Sequence, residues 1–188
     1  MTNQCLTNHL IEPILLPVSR LQHELKQSKP FPSRRAEAMV ALLRTGDLAR
    51  RLVEATVGPF GLTGQQYNVL RILRGAGEKG LPTLDIAERM IEQTPGITRL
   101  IDRLEAKQLV VRARCETDRR QVFCRITAEG LALLERCDAP IRAADESPLA
   151  GLSDADLHQL IDFLDRVRDG LDQQCNAMKQ TVKGNTPS

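Results

Sequence analysis

Apolar residues recur at helical spacing along most of the chain and switch to an alternating period once, between Leu109 and Ile126. Near the start, Val18, Leu21 and Leu25 share one helical face until Lys29-Pro30-Phe31-Pro32 stops the pattern. From Ser33 onward, Ala36, Val40, Leu43, Leu48, Leu52 and Val53 predict a long helix ending near Gly58-Pro59-Phe60-Gly61. Thr63 and Gln66 have capping-box spacing, and Leu62 and Tyr67 stand at the two positions of a hydrophobic staple, so a second helix runs to about Leu73. After the glycine-rich stretch 75–80, Thr83 is placed to cap a short helix from Leu84 to Met90, and Ile91 to Gln93 form a turn. A further helix follows, with Thr94 as its cap, Pro95 at its first position and Ile97, Leu100, Ile101 and Leu104 as one apolar stripe.

The alternating segment reads as a β-hairpin. Leu109, Val111, Ala113 and Cys115 alternate with Val110, Arg112, Arg114 and Glu116, and Val122, Cys124 and Ile126 form the returning apolar set. Pairing Cys115 with Cys124, and so Ala113 with Ile126, gathers the apolar residues on one face and leaves Arg112, Arg114 and Arg125 on the other. The tip Thr117-Asp118-Arg119-Arg120 then projects beyond the sheet. Two more capped helices follow. Thr127 starts one that runs to about Ala144, and Ser153 starts the last, whose face carries Leu157, Leu160, Ile161, Leu164, Val167 and Leu171. Residues beyond about Gln180 are expected to fray.

Short helix, turn, capped helix and basic hairpin in that order describe a winged helix-turn-helix, a device for binding duplex DNA. The fold class is mainly α (α+β). The winged domain is expected over 61–127, a helical dimerisation region over 33–60 and 128–180, and an N-terminal arm over 1–32.

Composition limits the alternatives. With 188 residues, 41% of them hydrophobic, the chain can bury a core. Lys and Arg number 26 against 24 Asp and Glu, a net charge of +2, so a nucleic-acid surface must come from clustering rather than bulk charge. The apolar stretch from Leu10 to Val18 is broken by Glu12, Pro13 and Pro17, which excludes a membrane span and makes a poor signal peptide. A cytoplasmic protein is expected, with reduced thiols. There is no glycine-rich phosphate loop, nucleophile elbow or visible acid–base pair, so no enzyme and no cofactor are expected.

The segments GLTGQQYNVLRIL, LDIAERM to TPGITRLIDRLEAKQLV, RARCETDRRQVFCRIT followed by AEG, and LSDADLHQLIDFLDRV resemble the MarR family of bacterial transcriptional regulators, over about Ser33 to Met178. The resemblance implies a triangular homodimer in which the first and last helices of each chain intertwine. It also implies a repressor released by a small aromatic or phenolic effector, bound in a cleft to which Leu43, Tyr67 and Leu70 are candidates to contribute. The apolar faces of the long helices at both ends agree with a dimer. Two-fold symmetry matches a pseudo-palindromic operator with half-sites about 34 Å apart. Gln108 stands where the family commonly has glycine, which predicts a different geometry for that helix end.

DNA contacts follow by exclusion. With the apolar stripe turned inward, Pro95, Gly96, Thr98, Arg99, Asp102 and Arg103 face outward. Thr98 and Arg99 suit base edges, since arginine can hold guanine O6 and N7 with two hydrogen bonds. Thr94 and Arg103 suit phosphates. Arg119 and Arg120 at the wing tip suit an A·T-rich minor groove, oriented by Asp118, with Arg112 and Arg114 as wing support. The competing assignment for Arg99 and Arg103 is an ion pair with Asp102 or Glu105. A non-specific DNA- or protein-binding adaptor is the alternative at the level of activity.

The five cysteines and three histidines lack metal-site spacing, so no metal is expected. Cys115 and Cys124, facing each other in the favoured register, read as small buried residues. The alternative is a redox pair in a thiol-sensing regulator on the same fold.

Overall fold

The computed structural model describes residues 19–92, 96–114 and 122–184. The chain divides into two compact units between Ala55 and Thr56.

The first unit holds α1 (Arg20–Glu24) and all but the last residues of α2 (Arg34–Val57). Ser19 Oγ caps α1, accepting from the Gln22 N–H at 3.2 Å. Lys26 closes it with φ +51, its N–H donating to His23 O at 3.0 Å while the Gln27 N–H donates to Gln22 O at 3.0 Å. That pair of bonds is a Schellman end. Ser33 caps α2 by accepting from the Ala36 N–H at 3.1 Å, where the sequence places the start of the long helix. Met39, Leu43, Leu48 and Leu52 on α2 are exposed.

The second unit contains α3 (Gly64–Ala76), β1 (Leu81–Pro82), α4 (Thr83–Arg89), α5 (Ile97–Ala106), β2 (Val110–Arg114), β3 (Val122–Ile126), α6 (Ala128–Glu146) and α7 (Asp154–Gly184). The Thr63/Gln66 capping box is formed in both directions, and Leu62 and Tyr67 are buried as the staple requires. Thr127 Oγ1 caps α6 and Ser153 Oγ caps α7, as their spacing predicts. The core consists of Val69, Leu70 and Leu73 of α3, Ile86 of α4, Ile101 and Leu104 of α5, and Leu134 and Cys137 of α6.

The sheet is antiparallel with strand order β1-β3-β2. β1, two residues long, is a strand that the sequence pattern does not announce. It lies close to β3 because residue 80 is glycine: Gly80 has φ +65, and a Cβ there would sit 2.3 Å from the Cys124 carbonyl oxygen. Gly130 serves similarly at the start of α6, where a Cβ would lie 2.4 Å from Leu109 O.

Four local expectations are corrected. Thr83 does not cap α4; Pro82 is the N-cap residue, and the Thr83 hydroxyl stands 3.8 Å from Cys124 Sγ. α5 begins at Ile97 rather than Pro95, with Gly96 as N-cap at φ +139; Thr94 and Pro95 lie outside the described residues. Gln108 does not change the geometry of the helix end. It takes φ +61, its N–H donates to Glu105 O at 2.8 Å, and the Leu109 N–H donates to Leu104 O at 3.0 Å, so glutamine occupies the left-handed position that glycine favours.

The fourth correction is the hairpin register. Cys124 pairs with Arg112, not Cys115, and Ala113 pairs with Phe123, not Ile126. Leu109 closes the turn after α5, its N–H bonded back to Leu104 O, so strand alternation begins at Val110. Val110 and Cys124 are buried, and Arg112 shares their face. The arginine is tolerated there because two acids on α5 meet it.

Candidate nucleic-acid interface

α5 buries Leu100, Ile101 and Leu104, and this inward face leaves Gly96, Thr98, Arg99, Asp102 and Arg103 exposed, as the apolar stripe predicts. Its position is set from two sides. On one side, α3 holds the segment leading to it: the Ile91 N–H donates to Asn68 Oδ1 at 3.0 Å, and Gln65 Nε2 donates to Glu92 Oε2 at 3.4 Å. At the far end Lys107 Nζ donates to Gly61 O at 2.6 Å and Gln66 Oε1 at 3.3 Å. Gln65, Asn68 and Lys107 are absent from the sequence-derived site. The available signal was only that Gln65 and Asn68 stand one helical turn apart on the polar side of α3.

On the other side, Arg112 of β2 grips α5. Its guanidinium pairs with Asp102 at 2.6 Å and Glu105 at 2.9 Å and donates to the Thr98 carbonyl at 3.3 Å, while its backbone N–H donates to Glu105 Oε1 at 3.3 Å. Partial burial by itself would lower the Arg112 pKa, but the Asp102 hydrogen bond and the charges of Asp102 and Glu105 outweigh it and leave the group more firmly protonated. Asp102 and Glu105, the sequence-level competitors for Arg99 and Arg103, are therefore engaged by Arg112. Among the described residues, Arg99 and Arg103 have no carboxylate partner.

The strand placement of Arg114 is opposite Val122. Asp118, Arg119 and Arg120, together with Cys115, lie outside the described residues. Cys124 is 0% exposed, with Arg112 across from it, so this rung does not form the predicted Cys115–Cys124 pair. Among the described residues no cluster of three or more His, Cys, Asp or Glu is arranged to hold a metal ion, and no helix is long and apolar enough to cross a membrane.

A second feature of this unit is an open cleft of about 430 Å³ between α3 and α6, lined by Tyr67, Arg71, Arg74, Asp138, Ile141 and Arg142 among others. Arg74 Nη1 bonds both oxygens of Asp138, at 3.0 and 2.9 Å, which ties α3 to α6 across the cleft. The Arg71 guanidinium lies 5.8 Å from the Tyr67 ring centroid. Burial pushes the Tyr67 hydroxyl pKa up, and the Arg71 charge opposes it. Of the three predicted cleft residues, only Tyr67 lines this cavity. Leu70 is wholly buried in the core, and Leu43 is an exposed residue of α2 in the other unit.

A helix-turn-helix of α4 and α5, preceded by β1 and followed by the β2–β3 hairpin in one three-stranded sheet, with an outward row of threonine and arginine on its second helix, defines a winged DNA-binding regulator. The sequence profile of the MarR family matches residues 60–121. The chain is 40% identical to a MarR transcription factor from Planctomyces limnophilus of known structure, with a TM-score of 0.56, covering 72% of this chain and 98% of that one. It is 29% identical over 126 residues to the homoprotocatechuate degradative operon repressor of Escherichia coli, 67% of this chain and 84% of that protein. CouR from Rhodococcus jostii, solved with p-coumaroyl-CoA bound, is 28% identical with a TM-score of 0.63, covering 73% of this chain and 95% of that one. The protein belongs to the MarR family, whose members are transcriptional regulators rather than enzymes.

Proposed function

We propose that this regulator is a homodimeric, sequence-specific repressor that binds a pseudo-palindromic operator and is released by a small aromatic or phenolic effector. The observation that carries the DNA-binding part is the outward row Thr98, Arg99 and Arg103, its two arginines without a carboxylate partner among the described residues, on a helix whose nearest acids are occupied by Arg112. Thr98 and Arg99 read base edges in the major groove. Thr94 and Arg103 hold phosphates, Pro95 and Gly96 belong to the same outward surface, and Arg119 and Arg120 enter the minor groove with Asp118 orienting them.

The domain division that fits this role is an arm over 1–32, a winged domain over 61–127 and a dimerisation region over 33–60 and 128–180. Exposed apolar residues on α2 and on α7 support the dimer. The effector reading is supported by the α3/α6 cleft, where the Tyr67 ring and the Arg71 and Arg142 guanidinium groups suit a planar ring with an electron-rich or anionic substituent. The names of the Escherichia coli and Rhodococcus relatives refer to phenol-containing compounds, which agrees with that class.

The test is selection of bound fragments from genomic DNA by the purified protein at near-physiological salt. Recovery of a pseudo-palindrome with half-sites one helical turn apart is expected, followed by its release on titration with hydroxylated aromatic acids. Recovery of random fragments would replace this reading with that of a non-specific adaptor.

A further inference from the structure

The first turn of α5 is the part of that helix least held by its own residues. Gly96, its N-cap, has φ +139 and makes no side-chain cap bond, and nothing lies within 4 Å of where a Cβ would be. Ile97 is half-buried, Thr98 and Arg99 are exposed, and the buried stripe starts only at Leu100. Arg112 meets Thr98 O from the wing at 3.3 Å, and Lys107 closes the far end. The direction from which the chain enters the helix is left to the segment before it.

That segment is held by a side chain of another helix. Met90 is buried, but Ile91 after it is 83% exposed, so packing of its side chain does not hold the turn. The Ile91 N–H instead donates to Asn68 Oδ1 at 3.0 Å. Asn68 stands on α3 between the buried residues Tyr67, Val69 and Leu70, which give the bond a rigid base. Gln65, one turn earlier, adds a longer bond from Nε2 to Glu92 Oε2 at 3.4 Å. From Glu92 to Gly96 is four residue steps, at most about 14 Å of chain, so the place where Asn68 pins the turn limits how α5 can begin.

We propose that Asn68 is a positioning residue for base readout: it touches no DNA, and by holding Ile91 it sets the angle at which Thr98 and Arg99 meet the base edges. This rests on the base-reading assignment of Thr98 and Arg99 above. The part Asn68 plays is that of an acceptor. The bond is exposed, so the Ile91 N–H can exchange it for one to water, and the fold loses little without it. The orientation loses more, since a two-bond contact to guanine tolerates a misplacement of only about 0.5 Å or about 10–20°. A contacting residue and a positioning residue therefore leave different marks. Loss of the first relaxes one base position; loss of the second relaxes, in step, every position that the helix reads.

The experiment compares the full-length wild type, Asn68→Ala and Asn68→Asp by competition binding against the selected operator, every single-base variant of one half-site, and random duplex, with thermal unfolding measured alongside. Asn68→Ala is expected to shrink the preference for the operator over its variants at least about three-fold at every position read by α5. Its affinity for random duplex should stay unchanged and its Tm within about 2 °C, since the better helix propensity of alanine offsets the lost bond. Asn68→Asp keeps an acceptor of the same shape and is expected to retain the preferences while binding all sequences more weakly, through its added negative charge. Wild-type preferences in Asn68→Ala, loss at a single base position, or an aspartate variant that discriminates as poorly as the alanine one overturns the proposal. So does a lowered Tm with equal loss on random duplex, which marks a role in folding alone. A wild-type protein without preference over random duplex overturns the base-reading assignment itself, a result read before any variant is compared.

Discussion

Arg112 on β2 holds Asp102 on α5, with Nη2 of the arginine 2.6 Å from Oδ1 of the aspartate. The side chain of Arg112 is 24% exposed, that of Asp102 52%. The pair is thus partly withdrawn from water, and with Glu105 and the Thr98 carbonyl it joins β2 to α5. An exposed ion pair contributes little, but a half-buried fork with several acceptors fixes an angle as well as a charge.

Replacing Arg112 by alanine should weaken operator binding more than about ten-fold, about 1.4 kcal/mol, although the arginine is not assigned to DNA. The loss has two sources: the helix and wing lose their common anchor, and Asp102 and Glu105 become unpaired negative charges near phosphates. Arg112→Lys keeps the charge without the fork and should fall between the two. Fluorescence anisotropy with a labelled operator checks this. Wild-type affinity in Arg112→Ala would remove Arg112 from the mechanism.

Arg99 and Arg103 should behave differently from each other. Arg99→Ala is expected to cost about 1–3 kcal/mol on the cognate operator and to relax the base preference at one position of each half-site. Arg103→Ala should weaken binding to all sequences alike and reduce the salt slope by about one per site. Titration against a panel of single-base variants at several salt concentrations separates the two roles. Equal loss of base preference in both variants would show the division to be wrong.

The helices were legible because their signals are local. Thr63 with Gln66, Thr127 and Ser153 each bond backbone within the next three residues, and the structure forms each bond. The hairpin was legible as an element but not in its register, because the phase of alternation depended on whether Leu109 opened a strand or closed a helix. The inward turn of Arg112 depended on acids from a different element, which alternation cannot register. β1 escaped notice because two residues carry no period, and Leu81-Pro82 is a strand only by virtue of its neighbour. In the candidate site, the outward row of α5 followed from its apolar stripe. The cleft did not: Tyr67 and Leu70 stand one turn apart on α3, and only α6 decides that one lines a cavity while the other is core.

Gln108 should be a site where stability can be gained. Its φ of +61 costs a residue with a Cβ about 1 kcal/mol relative to glycine, and the bonds it makes belong to the backbone. The Thr127 hydroxyl donates to Gln108 O at 2.8 Å, and that bond survives a change of side chain. Gln108→Gly is expected to raise stability by about 0.5–1 kcal/mol, a rise of about 1–4 °C in Tm for a protein of this size. A lowered Tm would mean that the glutamine side chain makes a compensating contribution.

Gly80→Ala should do the opposite. The new methyl would meet the Cys124 carbonyl, a backbone atom that cannot swing aside, and the φ of +65 adds its own strain. β1 would have to separate from β3, for a loss of at least about 2 kcal/mol in urea denaturation. Retained stability would show that β1 is dispensable.

The thiols should report folding rather than oxidation. Cys124 and Cys137 are both wholly buried and so out of reach of reagents in water, and burial, followed by the nearby Asp138 charge, pushes the Cys137 thiol pKa up. Cys175 is exposed. Alkylation of the native protein with iodoacetamide at pH 8, read by peptide mass spectrometry, should modify Cys175 within minutes, while Cys124 and Cys137 react at the rate of unfolding and accelerate in urea. Operator affinity should then be unchanged by millimolar peroxide in a variant whose Cys5, Cys115 and Cys175 are serine. Fast native labelling of Cys124, or peroxide-dependent release of DNA in that variant, would instead establish thiol sensing on the inner face of the wing.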